Sequence, residues 1–159
     1  MKTRYSKLIS VSKNPPEYAK SLLTNCTYLE DSSTTCLGYK IYGSPWQPTF
    51  CNWGFNLPRG QKLLDKWQLI PADTDILITH GPPLGFGDIL QDCRKRTGCY
   101  ELLKEVRERV KPLYHVFGHI HEGYGVWREG GTTYVNASTC NLDYNPENRA
   151  IVFDLPLIS

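Results

Sequence analysis

The sequence predicts an α/β fold, and three observations carry that reading. Ile76-Leu77-Ile78 is a short, wholly apolar run that ends abruptly in Thr79-His80-Gly81-Pro82-Pro83, the form of a strand buried on both faces of a sheet. Tyr114 to Phe117 is a second short strand that also runs into a histidine-bearing loop. Between and before these runs, Leu63, Leu64 and Trp67, and then Leu102, Leu103, Val106 and Val110, repeat at helical spacing. Polar residues therefore stand just beyond the C-terminal ends of apolar strands, where open α/β sheets hold their ligands.

The other elements follow in chain order. Residues 1–20 have weak periodicity and a Pro15-Pro16 break, which predicts an irregular arm. Thr27 to Glu30 and Thr35 to Tyr42 read as two strands around a turn at Asp31-Ser32-Ser33. A loop rich in Gly, Pro and Trp covers 43–54 and holds Trp46 and Trp53. Asn56-Leu57-Pro58 reads as a helix start, with an N-cap candidate and a proline in the first turn. In the second helix Arg107, Arg109 and Lys111 lie near the C-terminus, where they suit the helix dipole, and Pro112 stops it. Tyr124 to Arg128, Thr132 to Val135 and Ala150 to Asp154 complete a strand-rich tail.

Composition narrows the function classes. A chain of 159 residues with 40% hydrophobic and 21% charged residues has the make-up of one globular domain. A formal charge of +2 gives no basis for a nucleic-acid partner. No apolar run approaches the roughly 20 residues of a membrane span, and no apolar stretch of signal-peptide type follows Met1 to Lys7. A cytoplasmic location is the expectation. Six cysteines (Cys26, Cys36, Cys51, Cys93, Cys99, Cys140) form no CxxC pair, which removes the usual structural-zinc reading. They are expected to be reduced thiols, mostly buried.

The chemistry points to histidine. The four histidines are His80, His115, His119 and His121. His80 and the Gly118-His119-Ile120-His121 block both follow strands directly, and Gly and Pro fix the backbone around them, as a preorganised ligand requires. In an extended segment His119 and His121 point the same way; in a turned loop they diverge and can serve two neighbouring ions. His115 lies inside a strand pattern and reads as a structural, hydrogen-bonded residue.

Leu77 to Pro83 together with Val116 to His121 resembles the last two signature blocks of the calcineurin-like metallophosphoesterases. The longer strings Ile41 to Trp46, Trp53 to Trp67, Thr74 to Phe86, His115 to Tyr124 and Asn136 to Cys140 look closely like one branch of it, the metallophosphoesterase-domain-containing type. The likeness runs from about Ser12 to Pro156. It implies the C-terminal portion of an αββα sandwich, two mixed sheets flanked by helices, with 21–159 forming part of a single domain. It implies a dinuclear site of divalent ions (Mn, Zn or Fe), with His80 and His119 on one ion and His121 on its neighbour. The implied activity is metal-dependent hydrolysis of a phosphodiester, by family a small cyclic nucleotide. The implied partner is thus a small-molecule phosphodiester or nucleotide, with no nucleic acid, no membrane and an open oligomeric state.

The family's site also uses a D-x-H block, a G-D block whose aspartate bridges the ions, and a G-N-H block with the asparagine ligand and a proton-donating histidine. None of the three stands ahead of His80, and no histidine precedes it. Two cations held close together repel strongly without an anion between them, and three neutral imidazoles bring no charge. The chain by itself is therefore expected to be a poor catalyst, and a non-catalytic nucleotide- or metal-binding module is the rival reading. Four further positions are candidates to orient a ligand or touch substrate: Asp88 after Gly-Phe-Gly, with a helix-capping or solvated aspartate an equal reading; Asn136 at a strand end, where a structural role is favoured; Gly118 beside the histidine block; and Glu122 just after it, where a solvated glutamate is the commoner case. Stacking on a base is open to Trp46, Trp53 and Phe86, against the commoner role of packing anchors.

Overall fold

The computed structural model describes residues 15–157. Most of the expected N-terminal arm lies outside them. The last part of it, Pro15–Ser21, is a short helix, α1. Prolines suit a helix start, because the N–H groups they lack have no intrahelical partner there.

The centre of the fold is a six-stranded mixed sheet in the order β1-β2-β5-β6-β8-β7. Its strands are β1 (Ser32–Cys36), β2 (Tyr39–Ser44), β5 (Ile76–Thr79), β6 (Tyr114–Phe117), β7 (Gly125–Glu129) and β8 (Thr132–Asn136). β2, β5, β6 and β8 run parallel, and β1 and β7 close the two edges antiparallel. A two-stranded parallel ladder, β3 (Gln47–Pro48) with β4 (Asn56–Leu57), lies apart. The α/β expectation and the strands at 76–79, 114–117 and 132–136 agree with this architecture. The second full sheet of a sandwich is not formed by the described residues.

One face of the sheet is closed by helices. Tyr42, Leu77, His115 and Tyr134 are register neighbours across β2, β5, β6 and β8, each at most 2% exposed. Helix α2 (Gln61–Trp67) lays Leu63 and Trp67 on them, and α3 (Tyr100–Glu105) adds Leu102 and Leu103. A π-helical turn, Val106–Val110, prolongs α3 and buries Val106 and Val110. Lys111 then takes a left-handed φ of 49° and the chain leaves the helix before Pro112. Buried Trp67 donates its indole N–H to Cys99 Sγ at 3.3 Å.

Several local expectations need correction. The hairpin turns at Leu37-Gly38, not at Asp31-Ser33: both residues have positive φ, 50° and 86°. That is the backbone of a two-residue hairpin turn matched to strand twist, and a leucine at 91% exposure gives no hint of it in sequence. Asp31 instead accepts hydrogen bonds from Ser44, Trp46 and Lys66. Asn56 does not start a helix. It sits in β4, and its amide ties the preceding loop through Phe50 O, Cys51 O and Trp53 O, so α2 begins at Gln61. β5 is not buried on both faces, because Ile78 is 42% exposed. Residues 150–154 join no sheet among the described residues. They belong to a tail whose carbonyls are held by tyrosine hydroxyls instead: Tyr124 to Arg149, Tyr114 to Asp154 and Tyr39 to Pro156. Finally, all six cysteines are free thiols, but only Cys99 is buried.

Candidate functional site

The four parallel strands end on one rim, and the candidate residues emerge from it. β5 delivers His80, β6 delivers Gly118 and His119, and β8 ends in Asn136. The first two loops are tied directly, Gly118 N–H donating to His80 O at 3.0 Å. This is where Gly118 acts, through its backbone.

His119 is a non-glycine residue with φ 69°, a conformation that costs free energy and persists only where the surroundings impose it. The turn swings its ring toward the β5 loop. His119 Nδ1 lies 3.2 Å from His80 Nε2, and the rings are 4.8 Å apart, centroid to centroid. Ile120 is extended and His121 opens a single 3₁₀ turn, His121–Gly123. The block is thus turned, and its two histidines diverge. His121 Nδ1 is bonded to Asn141 O at 2.8 Å, with Tyr144 edge-on to its ring.

Burial sets the charge state of the pair. Desolvation, then the His80 and His121 imidazoles, push the His119 pKa down to about 4. Partial desolvation also lowers that of His80, although one edge of the residue is open to solvent. Neutral imidazoles with facing nitrogens suit a borderline cation such as zinc. They make an incomplete donor set. Among the described residues no group of three or more His, Cys, Asp or Glu side chains is placed to hold an ion.

Asn136 is the hub of the His119–His121 loop. Fully buried, it donates from Nδ2 to Ile120 O (2.8 Å) and Gly87 O (3.1 Å), and its Oδ1 accepts from Ser138 N–H at 3.0 Å. The loops beyond His80 and His121 meet at Gly87 and Gly123; a Cβ on Gly123 would fall 2.1 Å from Gly87 O. Asp88 does not orient a histidine. Buried to 0% exposure, it accepts from Gly85 N–H, Gly98 N–H and Arg96, stitching the loop between β5 and α3. Glu122 accepts from Gln91 N–H.

All three rim histidines line one cavity of about 620 Å³, within the usual size range for small-molecule sites. Its walls include Phe50, Trp53, Arg59, Cys140 and Tyr144. Phe50 stands edge-on to His119, with ring centroids 5.5 Å apart, and Trp53 is 64% exposed. Of the expected aromatics only Trp53 reaches the cavity. Trp46 packs under the Lys66 ammonium, and Phe86 stacks on Tyr134 in the core. Phe50, Asn141 and Tyr144 were not legible as site residues, since nothing in their local pattern says that distant loops return to the rim.

Comparison with known proteins gives the family. Over 150 residues the chain is 63% identical to human metallophosphoesterase domain-containing protein 1, a match covering 92% of this chain and 46% of that protein. The mouse protein of the same name matches equally. The chain belongs to the metallophosphoesterase-domain-containing family. A UPF0046 protein of Caenorhabditis elegans is 54% identical over 139 residues, 87% of this chain and 35% of its own length. The chain spans about half the length of the curated relatives named here, or less, consistent with a C-terminal part. No protein-family model matches. A solved crystal structure, 19% identical, superposes with a TM-score of 0.57 over 78% of this chain and 50% of its own, which speaks for the fold. Among the described residues no helix is long and apolar enough to cross a membrane.

Proposed function

We propose that this chain carries the histidine-bearing part of a divalent-metal phosphodiesterase site whose substrate is a small phosphodiester, a cyclic nucleotide being the best fit. The observation that carries the reading is the His80–His119 contact, two neutral imidazoles delivered from the ends of adjacent parallel strands. His80 and His119 would hold one ion and His121 would face its neighbour. The bound ions would supply charge to stabilise the phosphoryl oxygens. The chain's own part is to hold those imidazoles in place, with Phe50 and Trp53 forming an apolar wall against which a planar group can rest.

Among the described residues no group of three or more His, Cys, Asp or Glu side chains is placed to hold an ion, which favours a second reading for the chain by itself: binding of metal or nucleotide without turnover. The two readings separate in one assay. Purified chain is incubated with Mn(II), Zn(II) or Co(II) and with a cyclic nucleotide or an aryl phosphodiester, while metal binding is followed by calorimetry. Weak metal binding lost in a His80→Ala/His119→Ala double variant, with negligible turnover, is expected. Metal-dependent turnover by the 159-residue chain, abolished by His121→Ala, would overturn the reading of an incomplete site.

A further inference from the structure

His115 is fully buried in β6, on the helix-covered face, packed against Phe117 and Tyr134. Its Nε2 lies 2.9 Å from Thr79 Oγ1, and Thr79 Oγ1 lies 2.8 Å from Gly81 O. The Thr79 hydroxyl has one proton, and it makes both contacts only by donating to Gly81 O and accepting from His115 Nε2–H; with the proton on Nδ1, Thr79 would have to donate to Nε2 and leave Gly81 O. Nδ1 is then a bare acceptor, and it is one of the few buried side-chain atoms without a partner. The other tautomer would strand a buried N–H, the costlier error. Burial alone drives the His115 pKa down to about 3, so the ring is neutral.

The endpoint of the chain is the backbone on one side of His80. The carbonyl of His80 itself is held as well, accepting from Gly118 N–H at 3.0 Å. We propose that His115 is a positioning residue: its Nε2–H, relayed through the Thr79 hydroxyl to Gly81 O, fixes the turn that aims His80 at His119. The purpose assigned to that aim rests on the metal-holding reading above; the relay does not.

The test uses the whole 159-residue chain, with Thr79→Val, Thr79→Ser, His115→Phe and, as a destabilised control in the core helix α3, Leu103→Ala. Nitrogen-15 spectra of the imidazoles should show His115 as the Nε2–H tautomer, and the His80 ring signals should shift in Thr79→Val but not in Thr79→Ser. In a Co(II) titration followed by visible absorption, Thr79→Val and His115→Phe should bind about 10- to 100-fold more weakly, with Thr79→Ser and Leu103→Ala within about threefold of the parent. Should His115→Phe fail to fold, the Thr79 pair carries the comparison alone. An Nδ1–H tautomer, or Thr79→Val with unchanged His80 signals, overturns the relay. A parent chain that binds no Co(II) overturns the metal reading and leaves the spectra to decide the relay. A Leu103→Ala loss equal to that of Thr79→Val shows general loosening and overturns it too.

Discussion

The two faces of the central sheet are built to different standards. On one, Tyr42, Leu77, His115 and Tyr134 are sealed beneath Leu63, Trp67, Leu102 and Val106, all at 2% exposure or less. On the other, Ile78 is 42% and Val126 48% exposed. Cover there comes from an extended tail, stacked by Phe153 on Tyr114 and held by tyrosine hydroxyls. Apolar contact excludes water over a whole surface, whereas a hydroxyl-to-carbonyl bond at a partly exposed site adds only about 0.5–1.5 kcal/mol. The sealed face should therefore dominate stability, and it also carries the groups that shape the histidine rim.

Substitutions can break or sharpen that contrast. The largest effect is expected from Trp67→Ala, which empties the centre of the sealed face: about 3–5 kcal/mol by urea unfolding, enough to abolish a cooperative transition. The pH dependence comes next. Unfolded His115 takes up a proton below about pH 6.5, while in the fold it resists protonation down to about 3. Within that window the unfolded state binds more protons, so stability falls as pH falls, by up to about 1.4 kcal/mol per unit from this group. Above pH 6.5 it adds no slope, and His115→Phe should flatten the acid limb of a stability–pH curve.

Asn136→Ala should cost about 1–3 kcal/mol, because Ile120 O, Gly87 O and Ser138 N–H lose a buried partner. Amide exchange at residues 118–123 should quicken with it. The open face should respond least. Tyr114→Phe and Ile78→Ala are each expected to cost about 1 kcal/mol or less, and a loss above about 3 kcal/mol for Ile78→Ala would show that this face is sealed in solution.

Much of this was legible in sequence where local pattern and tertiary demand agree. The runs at 76–79 and 114–117 had to be strands, Leu63 and Trp67 had to face a core, and histidines flanked by Gly and Pro at strand ends marked the rim. Pattern failed where backbone signs or distant partners decide. Positive φ at Leu37 moved the first hairpin, and Asn56 spent its side chain on its own loop rather than on a helix cap. The tail at 150–154 has the composition of a strand but found no ladder among the described residues, since strand propensity needs a partner to act on.

The sequence by itself determined the fold class, the apolar faces of the two helices and the family, because these rest on residue type and spacing along the chain. Only the tertiary structure decided that His119 turns to His80 while His121 turns to Asn141, and that Asp88 serves a loop instead of a ligand. It also decided that buried His115 meets the Thr79 hydroxyl. The histidine contacts join segments far apart in the chain and the Asp88 contacts close one loop on itself; all are set by a few backbone angles and by the need of buried polar groups for partners, and neither leaves a local signature.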